Sequence, residues 1–269
     1  MLTMNRKTIK EIAFWGLLGV YFVTIIIFSS TKMSTLRYNN IAIIITDSAQ
    51  HQFINNKDIT KIISEKKIRI YGTPFDSLNT LKLEQLIKKN NNVIKNIEIY
   101  STYRGKLFIQ ITQRNPILRI ITYNHNSFYI DEDGHLMPFS TKYISRVPVA
   151  TGEINANLSM FSSNFDAKNQ GYKFPAERLI HNLFDISTII YNDSFWHNNV
   201  QQLVIKSKNQ LIIIPEVGNF IINFGSFENI INKLKYLKIM YKSVLPKVGW
   251  NKYSEINLSY KNQIVCTKK

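Results

Sequence analysis

Twenty consecutive residues without a charge, Ile12–Thr31 (IAFWGLLGVYFVTIIIFSST), constrain this chain more than any other feature. At 1.5 Å per residue, a helix of that length spans about 30 Å, the thickness of a bilayer core. Trp15 and Tyr21 are amphipathic aromatics of the kind enriched at membrane interfaces. A secretory signal has a shorter apolar region and small residues at its cleavage site. Here the run is long and leaves through Ser29-Ser30-Thr31-Lys32-Met33. An uncleaved anchor is the favoured reading, ahead of a signal peptide and of a buried core helix. Arg6, Lys7 and Lys10 precede the run, and Lys32 and Arg37 follow it. That is a slight bias toward an N-terminus inside the cell. The expected order is a cytoplasmic tail over 1–11, a transmembrane helix over 12–31, a linker over 32–40, and the remainder exported.

The chain is strongly basic, with a formal net charge of +16. Its lysines are spread from end to end, and no compact basic patch with interleaved aromatics marks a nucleic-acid surface. The single cysteine, Cys266, permits no internal disulfide, so the exported part must rest on a packed core.

Ile41–Thr46 reads as a buried strand. Asn55–Lys66 reads as a capped helix with Ile59, Ile62 and Ile63 on one face. Ile68–Tyr71 is extended, broken at Gly72-Thr73-Pro74. Leu78–Asn90 is a second amphipathic helix carrying Leu78, Leu81, Leu83, Leu86 and Ile87. Val93–Tyr103 and Lys106–Arg114 are strands around Arg104-Gly105, the second alternating with period two. This strand–helix–helix–strand–strand unit has no glycine-rich phosphate loop. Beyond Pro116, strands are expected at Ile117–Tyr123, Ser127–Asp131, Val147–Thr151, Val200–Lys206, Gln210–Pro215 and Asn219–Asn223. Helices are expected at Pro175–Tyr191 and Phe227–Leu245, the latter stopping at Pro246. Tyr253–Tyr260 and Gln263–Thr267 close the chain, as a hairpin or as one edge strand with a bulge.

No catalytic or metal-binding pattern emerges. The five histidines are scattered and form no zinc spacing. Asp131-Glu132-Asp133-Gly134-His135 lacks the spacing of a calcium loop and reads as a hairpin turn at Asp133-Gly134. No nucleophile motif is present, and Glu177, Asp185, Glu216 and Glu255 stand apart. The expectation is a protein that is not an enzyme and needs no cofactor.

Gln113-Arg114-Asn115-Pro116-Ile117, Ser127-Phe128-Tyr129-Ile130-Asp131 with Gly134, Met137-Pro138, and Arg146-Val147-Pro148-Val149 with Thr151-Gly152 form an ordered series. It resembles the core of the FtsQ/DivIB family of bacterial division proteins. Ile256-Asn257-Leu258-Ser259-Tyr260 resembles that family's closing D-L-R-Y-like strand. The resemblance implies an α+β protein: one N-terminal transmembrane helix, a POTRA domain over 41–114, then a mainly antiparallel β domain over 115–269 with flanking helices. It implies a scaffold of the bacterial inner membrane and division septum, with its C-terminal domains periplasmic. The implied partners are FtsB/DivIC-like and FtsL-like coiled-coil division proteins, with links to the septal peptidoglycan synthase. Carried over by position, the implied partner-binding residues are Tyr260, Asn262, Gln263, Ile264 and Val265. The chain departs from the family there, with Asn262-Gln263 for a small Ser-Gly turn and no following tryptophan. Arg114, Pro116 and Arg119 mark the domain junction. Two competing readings are a single-POTRA accessory for translocation or outer-membrane assembly, and an anchored cell-wall hydrolase.

Overall fold

The computed structural model describes residues 6–47, 52–161, 165–168, 174–207 and 210–269. Residues 1–5 of the expected tail and His51 lie outside them. The chain divides into two compact units, one holding Met1–Ser48 and Ile54–Gln113, the other Ala49–Phe53 and Arg114–Lys269.

Helix α1, Arg6–Thr35, runs through the whole uncharged stretch and on into the expected linker. Side chains within it are described at Lys10 and from Ala13 to Ile27, and the large apolar ones apart from the half-buried Leu18 are exposed, Leu17 by 74% and Phe22 by 55%. Among the described residues, no helix is long and apolar enough to cross a membrane.

The rest of the first unit follows β1 (Asn40–Ile45), α2 (Asn56–Glu65), α3 (Thr80–Lys89), β2 (Ile94–Ser101) and β3 (Lys106–Gln113). The expected strand–helix–helix–strand–strand order is present. Asn55 caps α2 reciprocally with Asp58: its side chain accepts from the Asp58 amide, and the Asp58 carboxylate accepts from the Asn55 amide. The three strands lie in the order β1-β3-β2, with β1 parallel and β2 antiparallel to β3. Alternation along β3 sends Leu107, Ile109 and Ile111 into a core shared with Ile59 and Ile63 of α2 and Leu83 and Ile87 of α3. Leu81, expected on the apolar face of α3, is instead 68% exposed, because two residues along a helix turn a side chain far from Leu83. Ile68–Tyr71 forms no strand, and the Thr73 amide closes a turn onto the Ile70 carbonyl.

The second unit holds β4 (Pro116–Ile121), β5 (Ser127–Asp131), β6 (Leu136–Pro138), β7 (Val149–Gly152), α4 (Pro175–Asn192), α5 (Ser194–Asn199), β8 (Val200–Ser207), β9 (Gln210–Pro215), β10 (Ile221–Gly225), α6 (Ile230–Ile239), α7 (Leu245–Val248), β11 (Tyr253–Asn257) and β12 (Val265–Lys268). Among the described residues these strands make one nine-stranded sheet, ordered β12-β11-β10-β9-β8-β7-β4-β5-β6. Five neighbouring pairs are antiparallel, and β4–β7, β7–β8 and β10–β11 are parallel. The core joins Leu118, Ile120, Leu203, Ile213 and Ile222 of the sheet to Leu183, Ile186 and Ile190 of α4. The expected hairpin turn is present: the Gly134 amide bonds the Asp131 carbonyl, and β6 returns antiparallel to β5.

One helix departs from expectation. The segment read as a single helix over Phe227–Leu245 is α6, then a π-helical stretch Met240–Val244, then α7. Pro246 does not stop it but sits in the first turn of α7. A proline there has no N–H to give to the preceding turn, and its ring crowds the carbonyl four residues back. The wider π turn makes room for both effects. Ile231, in the first turn of α6, is 71% exposed.

Lys238 of α6 donates to both oxygens of Asp193, at 2.9 and 2.7 Å, while Asp193 caps α5 through the Phe195 and Trp196 amides. The lysine hydrogen bond first, and the capping amides with it, hold the Asp193 carboxyl below its usual range. A carboxyl depressed in the folded state contributes stability above its unfolded pKa, about 3.9. That stability is lost as the pH falls through the lower folded value. Lys238→Met is therefore expected to lower the unfolding midpoint at pH 7, with the gap from the parent closing toward pH 3. A gap independent of pH would assign the loss to packing instead.

Candidate functional site

The C-terminal edge of the large sheet is built by the chain's last strands. β12 runs antiparallel to β11, pairing Val265 with Asn257, Cys266 with Ile256 and Thr267 with Glu255. The two closing runs are therefore a hairpin. β12 is the last strand in the sheet order, so its outer edge has no strand beside it among the described residues. Alternate N–H and C=O groups of such a strand point away from its partner.

Of the expected partner-binding residues, Val265 alone lies on a strand. Tyr260, Asn262, Gln263 and Ile264 lie in the connection between β11 and β12. β11 ends at Asn257, short of Tyr260, for a local reason and a distant one. The Asn257 side chain accepts from the Ser259 amide at 2.9 Å, turning the chain. The Leu258 amide bonds the Asn223 carbonyl in the middle of β10, and the Ser259 hydroxyl donates to the Asn223 side chain. Asn262 then adopts φ +58°, a left-handed conformation that asparagine tolerates, and the Gln263 amide reaches the Tyr260 carbonyl.

Two grooves meet at this turn. One, of about 330 Å³, is apolar and is lined by Tyr236, Ile239 and Met240 together with Tyr253, Ile264 and Cys266. Burial there pushes the Cys266 thiol up from its ordinary pKa. The other, of about 450 Å³, is polar, and its walls include Glu228, Lys233, Ser259, Tyr260 and Lys261. Tyr236, Asn262 and Gln263 line both. Tyr260 and Val265 remain 57% and 42% exposed, and Ile239 is 51% exposed. Lys233 fixes the start of α6 to the end of β10 by donating to the Phe224 and Ser226 carbonyls. Its burial lowers its pKa, an effect that Glu228 partly opposes.

Sequence reasoning missed the helical wall of the apolar groove. Tyr236, Ile239, Met240 and Val244 lie at i, i+3, i+4 and i+8, a second apolar stripe beside the buried Leu234 and Leu237. Two apolar stripes on one helix leave one of them facing outward, and that signal was available.

The junction residues have definite places within the second unit. Arg114 donates to Asp131 at 2.7 Å, an ion pair with 13% and 0% of the two side chains exposed. The other Asp131 oxygen accepts from the Asp133 and His135 amides, so this carboxylate ties the head of β4 to the β5–β6 turn. Pro116 opens β4 opposite Asp131. Arg119 donates to the Ser127 hydroxyl and lies 4.4 Å over the Phe139 ring. Among the described residues, no group of three or more His, Cys, Asp or Glu is placed to hold a metal ion.

The chain is similar to two known domain families. A family model described as FtsQ/DivIB, C-terminal related, matches residues 115–267, and a POTRA-like domain model matches residues 38–112. The chain belongs to the FtsQ/DivIB family. No curated protein matches it. FtsQ/DivIB proteins are non-catalytic scaffolds of cell division, associated with the membrane at the division site and with other division proteins. The POTRA-like match covers the three-stranded sheet, α2 and α3 of the first unit, after α1. Arg114, Pro116, Asp131, Gly134 and Gly152, which carried the resemblance in sequence, all fall in the FtsQ/DivIB-related part except Arg114, which immediately precedes it.

Proposed function

We propose that this FtsQ/DivIB protein is a membrane-anchored divisome scaffold that holds an FtsB/DivIC–FtsL-type coiled coil along β12. In this role it helps couple septal peptidoglycan synthesis to division. The observation that carries the reading is the edge of β12 left open among the described residues, beside a turn whose exposed Tyr260 lines the polar groove. An extended segment of a partner adds main-chain hydrogen bonds to such an edge. Tyr260 supplies an aromatic anchor, and the stripe along α6 and the π-helical stretch offers apolar area to the flanking part of the partner.

The anchor is α1, over residues 12–31, with the N-terminus cytoplasmic and the POTRA domain (41–114) and β domain (115–269) exported. Its support is the uncharged sequence and the apolar side chains from Phe14 to Ile27 that α1 leaves exposed. A helix apolar all round asks for an apolar surrounding. Arg114, Pro116 and Arg119 set the start of the β domain.

The test is co-purification of the tagged full chain with an FtsB-like coiled coil from detergent-solubilised membranes. Tyr260→Ala combined with Val265→Asp is expected to cut recovery of the coiled coil by at least about tenfold, the effect of losing a central aromatic and charging the edge. The unfolding midpoint should stay within a few degrees of the parent. Undiminished recovery would remove the assigned edge.

A further inference from the structure

We propose that two loops of the first unit form a headgroup-docking patch, made by Tyr71, Tyr103, Arg37 and Arg104, that lays this unit on an anionic phospholipid surface. The inference rests on the reading of α1 as the membrane anchor.

The geometry begins where α1 ends. The residues just after Thr35 are not a free tether. The Leu36 carbonyl accepts from the Phe75 amide at 3.1 Å, and Tyr38 exchanges bonds with Thr73 and Gly72. The Arg37 guanidinium donates to the Gly72 carbonyl at 2.8 Å. On the other side, the Asn39 amide donates to Gly105 and the Asn39 side chain to Arg104. The segment leaving the helix is thus clamped between a loop around Tyr71–Phe75 and a loop around Tyr103–Gly105.

Each loop holds out a tyrosine, Tyr71 at 59% and Tyr103 at 76% exposure. The Arg104 guanidinium lies 5.6 Å from the Tyr103 ring, and Arg37, Arg69 and Arg104 are exposed. Asp76 is the acidic residue of the first loop. A single exposed tyrosine is ordinary. What distinguishes this pair is that both loops are bonded to the residues that emerge from the anchor. When α1 spans a bilayer, those residues lie at or just beyond the headgroups, and the short clamp gives the loops little room to rise away. Tyrosine with an apolar body and a polar tip, beside arginines, is the composition of the membrane interface. Arginines at that depth are drawn to anionic headgroups.

The experiment uses the full chain in nanodiscs of phosphatidylcholine alone, and of phosphatidylcholine with phosphatidylglycerol. Amide hydrogen exchange is followed in residues 69–77 and 102–106, with α2 as an internal control for folding. The expected result is exchange slower by at least about threefold in the anionic discs, with the difference shrinking as salt is raised. Arg104→Glu should reduce the difference, and Tyr71→Ser with Tyr103→Ser and Arg104→Glu should abolish it while α2 stays protected. Equal exchange in the two discs overturns the proposal. Protection seen in native membranes but in neither disc assigns the loops to a protein partner and overturns it as well. Alkaline carbonate extraction separates this inference from the anchor. A chain stripped from membranes sinks the anchor and the patch together, whereas a chain that stays but shows no lipid dependence sinks the patch alone.

Discussion

Arg114→Met is expected to cost about 3–5 kcal/mol of folding stability, because it leaves a buried carboxylate without its counter-charge. Asp131 is fully buried and the arginine nearly so. The Asp133 and His135 amides still bond one of its oxygens, but two peptide dipoles do not replace a guanidinium. The measurement is urea unfolding of the detergent-solubilised full chain by tryptophan fluorescence. Trp196 and Trp250 lie in the second unit and report on it. Asp131→Asn keeps an oxygen for the turn amides and removes the charge. The double variant should therefore be more stable than Arg114→Met alone, with a coupling of about 1–3 kcal/mol. Equal midpoints for the parent and Arg114→Met would show that the pair contributes nothing net, as some buried pairs do.

Gly152→Ala should lower stability by at least about 3 kcal/mol, since it combines a backbone penalty with a clash. Gly152 ends β7 at φ +100°, and a Cβ built there meets the Ile205 carbonyl oxygen of β8 at 2.2 Å. That carbonyl also accepts from the Glu153 amide, so it cannot move aside without losing a bond. Gly249 provides the control. Its φ of +98° is nearly the same, yet nothing lies within 4 Å of a Cβ there. Gly249→Ala should cost about 1–2 kcal/mol, the conformational part alone. Similar losses at the two positions would mean that the β7–β8 contact relaxes easily.

Both residues belong to the short motifs that carried the family resemblance, and the fold shows why those residue types are needed. Arg114 and Asp131, far apart in sequence, are the two ends of one ion pair. Gly152 leaves the space that a parallel neighbour strand requires. The resemblance was legible without any of this, but its physical content was not.

Local signals read well wherever the partner groups are near in sequence. The Asn55 cap, the alternation of β3, the turn at Asp133-Gly134 and the helix over Pro175–Asn192 each depend on residues within a few positions of one another. The misreading at Tyr260 has the opposite feature. Tyr260 reads as the end of a strand because its neighbours alternate suitably. The chain turns earlier because Asn223, from another strand, takes the Leu258 amide and the Ser259 hydroxyl. Pro246 reads as a stop because a proline cannot continue an α-helix, and the π-helical stretch before it supplies the wider turn that a local rule does not foresee. The second apolar stripe of α6 was visible in the spacing, yet spacing alone does not say which stripe is covered.

Composition and periodicity by themselves indicated an uncharged stretch of twenty residues within a helix, a strand–helix–helix–strand–strand unit and a strand-rich remainder. These are properties of adjacent residues, set by helical and strand repeats. The tertiary structure alone decided that β10 and β11 run parallel, which places the final hairpin at the end of the sheet and leaves β12 open beside the stripe of α6. Strand order depends on which distant backbone groups pair, and no local repeat encodes that choice.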